Sequence, residues 1–299
     1  MPAAIAVADL SKSYGPIEAV RGVTFEVRQG EVFALLGPNG AGKTTIAEML
    51  EGYREPTGGS AAVLGADPWK NDPAHKARLG IVLQSTSVDP FLTVRETIEM
   101  YSGFYPRPRP TDEVLELVDL TAKAGEKVRR LSGGQQRRLD VGVALAGDPE
   151  LLFLDEPTSG FDPSARRNSW EMVKALAALD KTVFLTTHNM DEAQYLADRV
   201  AIINEGVIVA EGSPETIGAR DTAETSIRFR TGVGAPVLPA TFGAVASGDS
   251  VVLTTADPTR VLHELTGWAV AAGVSLDGLE VSKPSLEDVY LKLTEEQDS

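Results

Sequence analysis

The sequence predicts an α/β fold with a mostly parallel core sheet, followed by a small α+β domain, and three observations predict it. Four apolar runs, residues 32–36, 80–83, 151–154 and 182–187, end at Gly37, Gln84, Asp155 and His188. Continuous runs of this length are what parallel strands buried on both faces look like. The first run leads at once into a glycine-rich loop and then into Ile46-Ala47-Glu48-Met49-Leu50, so strand, loop and helix follow one another. After Gly218 the pattern changes to short alternating strands around one amphipathic helix.

The loop is Gly37-Pro38-Asn39-Gly40-Ala41-Gly42-Lys43-Thr44-Thr45. It satisfies Gly-x-x-x-x-Gly-Lys-[Ser/Thr], in which glycines let backbone N–H groups close around phosphate oxygens, Lys43 reaches the terminal phosphates and Thr44 offers a hydroxyl to Mg²⁺. The positive end of the helix that starts here adds to the same anion site. The fold class is therefore that of a P-loop NTPase.

In sheets of this kind ligands bind beyond the carboxyl ends of the strands, which puts the four run-ending residues on one rim. Asp155 is placed to hold a Mg²⁺ that keeps waters and touches phosphates. Strand alternation turns Glu156 the other way, toward the water that attacks the γ-phosphate. His188 sits on the same rim, as a contact to that phosphate or water. Gln84 offers an amide oxygen to water or metal.

A second helix start, Leu131-Ser132-Gly133-Gly134-Gln135-Gln136-Arg137-Arg138, reads as a capping box from Ser132 to Gln135. Its two glycines also let backbone N–H groups approach an anion. Spacing alone leaves open whether the two phosphate cradles meet within one molecule or between two.

Before the first run, residues 5–10 alternate as a half-buried strand, and residues 11–15 read as a loop with Tyr14 on a turn. Residues 92–101 and 112–120 have helical apolar spacing, separated by Tyr105-Pro106-Arg107-Pro108-Arg109-Pro110. Beyond Gly218, residues 226–229, 251–253 and 276–281 read as strands, 258–271 as an amphipathic helix, and 286–293 as a short helix with Ser285 at its N-cap.

Composition excludes several classes. The 299 residues carry 28 Lys+Arg against 43 Asp+Glu, a formal charge of −15, which gives no general counterion-release drive for nucleic acid. Cysteine is absent, which removes disulfides and thiolate chemistry and fits a cytoplasmic setting. The first thirty residues carry Asp9, Glu18 and Glu26 with no basic cluster before an apolar stretch, so no signal peptide is expected. Residues 231–248 are uncharged, but Pro236, Pro239 and four glycines argue for a loop or strand pair rather than a membrane span. Direct membrane insertion is not expected.

Taken in order, these residues resemble the ABC transporter ATP-binding subunits over roughly residues 5–213. Tyr14 is similar to the adenine-stacking aromatic, Gly37 to Thr45 to the Walker A loop, Gln84 to the Q-loop, and Leu131 to Gln135 to the signature motif. Asp155 and Glu156 resemble the Walker B pair, Ser159-Gly160-Phe161-Asp162 the D-loop with Phe161 where Leu is usual, and His188 the switch histidine. The resemblance implies an ABC ATPase fold with an antiparallel β-subdomain and a helical subdomain at about residues 85–145. It places the ATP-binding domain at residues 1–220 and an accessory α+β domain at 221–299. It implies ATP and Mg²⁺ as cofactors, with Thr44, Gln84 and Asp155 on the metal, Glu156 and His188 catalytic, and Asp162 among the nucleotide-binding residues.

The same resemblance implies a head-to-tail homodimer in which Ser132, Gly133, Gly134 and Gln135 of one subunit cap the γ-phosphate held by Lys43 of the other. An integral membrane permease would dock beside Gln84, holding the chain peripherally on the cytoplasmic face of the cell membrane. The tail from Lys283 to Tyr290 resembles the C-terminal extension of the drug-resistance and polyketide-export branch, so export of a hydrophobic drug or similar amphiphile is the expected function. A soluble ABC ATPase of translation or DNA repair is the alternative, disfavoured by a single cassette, the acidic charge and the lack of cysteine. A nucleotide-gated scaffold would require a lost base, and Glu156 is present.

Overall fold

The computed structural model describes residues 3–70, 72–82, 88–219, 224–231, 238–247 and 250–295. Gln84 lies outside them. The chain divides into two compact units, Met1–Pro214 and Glu215–Ser299.

In the first unit, β1 (Ala3–Tyr14) and β2 (Ile17–Arg28) form an antiparallel hairpin, and β4 (Gly58–Val63) pairs with the other edge of β1. The loop expected from Ser11 is not there. Strand β1 continues to Tyr14, which pairs with Ile17 across a turn at Gly15 and Pro16, and register shifts between Val7 and Ser13 absorb the irregular pattern. Asp9, at φ 49°, marks where the first of these shifts bends the strand.

The core sheet has the order β5-β6-β7-β3-β8-β9. Strands β3 (Val32–Leu36), β5 (Leu79–Val82), β6 (Leu151–Asp155), β7 (Thr182–Thr187) and β8 (Arg199–Asn204) run parallel, and β9 (Val207–Gly212) returns antiparallel. Every residue of β3, β6 and β7 is buried, as the unbroken apolar runs require. Register matters most here. Leu36 lies opposite Thr187, and Asp155 opposite Thr186, so the three strands end together and deliver Gly37, Glu156 and His188 to one rim.

Phe25 of β2 stacks on Phe33 at 5.4 Å between ring centroids, Phe33 on Phe184 at 5.9 Å, and Phe153 tilts against Phe184 at 5.6 Å. These rings join the antiparallel sheet to the core sheet. Burying a phenylalanine side chain contributes about 1.5–3 kcal/mol, so this cluster anchors the floor of the rim.

Helix α1 (Lys43–Leu50) follows β3, and the short α2 (Pro73–Lys76) precedes β5. Helices α3 (Val94–Ser102), α4 (Thr111–Leu117) and α5 (Gly133–Leu145) form the helical region, shorter at both α3 and α4 than apolar spacing alone suggests. The starts move because caps decide them. Thr93 and Glu96 form a reciprocal capping box at α3, and Pro110 holds the position before α4. Helices α6 (Pro163–Ala177) and α7 (Met190–Leu196) flank β7.

The second unit has a four-stranded antiparallel sheet of order β11-β12-β10-β13 among its described residues, with β10 (Thr225–Arg230), β11 (Val245–Ser247), β12 (Ser250–Thr255) and β13 (Asp277–Ser282). Helix α8 (Pro258–Ala272) covers it through Leu265, which joins Ile227, Phe229 and Leu253 in a small core. Helix α9 (Leu286–Glu295) starts at Ser285, whose Oγ accepts from the Asp288 N–H at 3.1 Å. The uncharged stretch from residue 231 holds β11 and a 3-10 turn, Ala240–Phe242. No helix among the described residues is long and apolar enough to cross a membrane.

Candidate active site

The loop after β3 needs glycine for reasons of space and backbone conformation. A Cβ at Gly37 would lie 2.3 Å from the Ile203 carbonyl oxygen, and Gly42, at φ 104°, would place one 2.6 Å from that of Ala19. An L side chain at Gly42 would be strained by both effects. Lys43 is 4% exposed, and its ammonium donates to the carbonyl oxygens of Gly37 at 2.9 Å and Pro38 at 3.1 Å. Burial pulls its pKa below the usual lysine range, opposed by Glu156 and then Asp155.

Two further side chains converge on Glu156. Its Oε1 lies 3.4 Å from Lys43 Nζ and 3.1 Å from His188 Nδ1. The division of labour between Asp155 and Glu156 does not come from strand alternation. Strand β6 ends at Asp155, and Glu156 takes a left-handed conformation, φ 44°, pinned by its N–H donating to Thr186 O at 3.1 Å and Thr186 Oγ1 at 3.2 Å. A non-glycine residue at positive φ costs of order 1 kcal/mol and persists when its surroundings over-determine it. Here the turn carries the carboxylate to Lys43 instead of leaving it on the opposite face of the strand.

Asp155 is 7% exposed. Its Oδ1 accepts from Thr186 Oγ1, and its Oδ2 accepts from Thr44 Oγ1 at 3.4 Å. A hydroxyl and a carboxylate side by side are hard oxygen donors, which suits Mg²⁺ and a coordination shell completed by water and phosphate. Among the described residues no group of three or more His, Asp and Glu is arranged to hold a metal on its own.

Asn39, Gly40, Gly42, Lys43, Thr44 and Thr45 line a cleft of about 470 Å³ together with Glu156, Ser159 and His188. Ala41 is buried beneath it. A separate cleft of about 390 Å³ is lined by Ser132, Gly134, Gln135 and Asp162, and the two clefts share no residue. Ser132 and Gln135 form a reciprocal capping box, with the Ser132 N–H donating to Gln135 Oε1 at 3.0 Å. Gly133 opens α5, and Asp162 caps α6 by accepting from the N–H groups of Ser164 and Ala165, each at 2.9 Å. Asp162 therefore belongs with the second helix start and not with Lys43. Tyr14 is 38% exposed at the end of β1, with the Arg54 guanidinium 5.3 Å and the Lys12 ammonium 5.5 Å from its ring centroid, and it lines neither cleft.

The sequence reading gave no role to Arg137. Its buried guanidinium, on α5, donates to the Asp155 carbonyl at 3.0 Å and the Pro157 carbonyl at 3.3 Å. Burial lowers its pKa, opposed by Asp140, Asp155 and Glu192. The available signal was a charged residue on a helical face whose next positions, Val141 one turn on and Ala144 two turns on, are apolar.

Glu51, at the end of α1, is also buried, and burial, then Asp155, then Glu48 push its pKa up from 4.5 to about 7. The folded chain thus holds a proton that the unfolded chain releases between about pH 4.5 and 7, so this group's contribution makes stability fall as pH rises through that window. Glu51→Gln is expected to remove this slope and to raise stability at pH 8 by about 1–2 kcal/mol. Urea unfolding of both proteins at pH 5 and pH 8 checks it; an equal difference at both pH values would show that Glu51 is not the group responsible.

A family model described as "ABC transporter" matches residues 20–159, and one described as "ABC transporter domain-containing protein-like, C-terminal domain" matches residues 225–285. The chain is similar to the Nod factor export ATP-binding protein I of Rhizobium leguminosarum bv. viciae, with 39% identity covering 98% of this chain and 95% of the relative. It is similar to the linearmycin resistance ATP-binding protein LnrL of Bacillus subtilis (strain 168), with 35% identity covering 96% of each. Among solved structures, a dimeric ATP-binding cassette in a post-hydrolysis state with ADP and Pi superposes with a TM-score of 0.62 at 26% identity, covering 70% of this chain and 98% of the other.

Proposed function

The chain belongs to the family of ABC transporter ATP-binding subunits, and on that premise we propose a residue-by-residue account of how it works. It is an ATP-hydrolysing subunit that powers export through a separate membrane permease. The observation that carries the residue assignment is the meeting of Lys43 and His188 on Glu156 Oε1 beside the phosphate loop.

In this account the loop from Gly37 to Thr45 holds the triphosphate and Lys43 neutralises its β- and γ-oxygens. Thr44, Asp155 and Gln84 would hold a Mg²⁺, which would supply charge neutralisation to the phosphates. Glu156 accepts the proton of the attacking water, and His188 orients that water or the γ-phosphate through its free ring nitrogen. Tyr14 stacks on the adenine.

Two chains pair head to tail. The support is that Ser132, Gly134, Gln135 and Asp162 line a cleft apart from Lys43, so one chain does not close both cradles on one nucleotide. The ATP-binding domain is assigned to residues 1–220, with the helical subdomain at about 85–145, and the domain at 221–299 to a dimer-stabilising or regulatory role. The cargo is assigned to the class of hydrophobic drugs and similar amphiphiles, supported by a relative named for linearmycin resistance. Attachment to the cytoplasmic face of the membrane runs through the permease.

The permease contact is assigned to the segment ending at Phe91, whose ring is 63% exposed with the Arg129 guanidinium 5.4 Å from its centroid. An exposed aromatic backed by arginine is the residue chemistry that dominates binding surfaces, where its loss costs about 2 kcal/mol or more. Phe91→Asp is expected to lower drug efflux by about tenfold or more while ATPase activity of the isolated chain stays within about twofold of the parent. Sedimentation with membranes that contain or lack the co-expressed permease checks the docking, and full efflux by the variant would remove Phe91 from it.

A further inference from the structure

A single buried carboxylate ties the segment that follows Glu156 to helix α6. Glu192, on α7, is 1% exposed, and its Oε1 accepts from Thr158 Oγ1 at 2.6 Å and from Trp170 Nε1 at 3.0 Å. Thr158, itself 3% exposed, stands two residues after Glu156. Trp170 lies on α6, the helix capped by Asp162. The backbone of Glu192 has a partner at the other catalytic residue's side: its N–H donates to Asn189 Oδ1 at 3.1 Å, and Asn189 directly follows His188.

Building on the assignment of Glu156 above, we propose that Glu192 is a positioning residue for ATP hydrolysis, fixing from behind the turn that presents Glu156 to His188. The side chain acts on Glu156 through Thr158. The turn that presents Glu156 is short, with the Ser159 N–H donating to Glu156 O at 3.2 Å and the Phe161 N–H to Thr158 O at 3.2 Å. Holding the Thr158 hydroxyl therefore holds the turn.

Besides the two turn bonds above, the backbone here is held by the bonds of Arg137 to the carbonyl oxygens on either side of Glu156 and by the Glu156 N–H bonds to Thr186. None of these bonds reaches the Thr158 hydroxyl, which Glu192 holds. Trp170 extends the link to α6, whose first residues line the second cleft, so the same carboxylate connects the catalytic turn to the surface assigned to the partner's nucleotide. A buried acceptor that takes one donor from the turn after β6 and one from α6 is a costly arrangement to leave half-satisfied, which makes it rigid in the folded chain.

The test uses the full chain and separates turnover from nucleotide binding. Glu192→Ala and Thr158→Val are each expected to lower kcat by about tenfold or more, with affinity for a fluorescent ATP analogue within about twofold of the parent. Thr158→Ser keeps the hydroxyl and is expected to recover most of the lost kcat. The double variant Glu192→Ala/Thr158→Val is expected to be no slower than the slower single variant, because both remove one interaction.

Thr158→Val at parental kcat, or fully additive losses in the double variant, overturns the proposal. So does a Thr158→Ser variant as slow as Thr158→Val, since size and not the hydrogen bond would then matter. Where Glu192→Ala does not fold, the valine and serine variants decide. A parent chain that binds but does not hydrolyse Mg·ATP overturns the proposal together with the assignment of Glu156, whereas an active parent with unaffected variants overturns the role of Glu192 alone.

Discussion

Glu156→Gln is expected to lower ATP turnover by about 10³-fold while leaving nucleotide binding intact. Glutamine keeps the shape of the side chain and one oxygen for His188, but an amide does not accept the proton of the attacking water. Binding is spared for a specific reason. Lys43 retains the Gly37 and Pro38 carbonyls as partners, at 2.9 and 3.1 Å, so the loop does not lose its cation when the carboxylate is neutralised. Removing a negative charge 3.4 Å from that cation also frees it for phosphate, so ATP affinity is expected to stay level or rise. With binding retained and cleavage stopped, light scattering is expected to show an ATP-dependent dimer that persists. A variant that stays monomeric at saturating Mg·ATP would count against head-to-tail closure, and one that turns over at the parental rate would remove Glu156 from the chemistry.

Lys43→Ala is expected to abolish measurable hydrolysis and to weaken ATP binding by about 10²-fold, the equivalent of one charge-assisted hydrogen bond of about 3 kcal/mol. The lysine is 4% exposed, so bulk water does not replace it easily. Its removal also leaves Glu156, which lines the cleft, and the nearby Asp155 without their buried cation, and a triphosphate would then enter against uncompensated negative charge. Burial already opposes the charge on Lys43, so the folded chain itself is expected to tolerate the change better than the nucleotide does. Titration with a fluorescent ATP analogue measures the first effect, and thermal unfolding without nucleotide measures the second. ATP affinity within about threefold of the parent would show that Lys43 is not the main phosphate contact.

Some of this architecture is legible residue by residue. The loop from Gly37 to Thr45 states its own conformation, because only glycine fits beside Ala19 and Ile203 and only a lysine of that reach returns to the loop carbonyls. Unbroken apolar runs reveal β3, β6 and β7, since a strand buried on both faces has no polar position to alternate with. Strands β8 and β9 have no comparable motif at their ends and are not singled out by the same reading. The Tyr14 segment reads as a loop because its bulged pairing breaks the period of two on which strand recognition rests.

The sequence by itself thus determined the glycine-rich loop with its lysine, the rim-forming strands, the two helix starts and the family, all properties carried by contiguous residues. The tertiary structure alone decided how Glu156 reaches Lys43, because that depends on the left-handed turn after β6 and on the register of three strands, the first of which is more than a hundred residues of chain from the other two. It alone decided that the two helix starts line separate clefts and that Arg137 and Glu192 both bond the turn after β6. The physical reason is the same in each case: hydrogen bonds and ion pairs act over about 3 Å in space, and sequence spacing predicts such proximity only within a single helix, strand or turn.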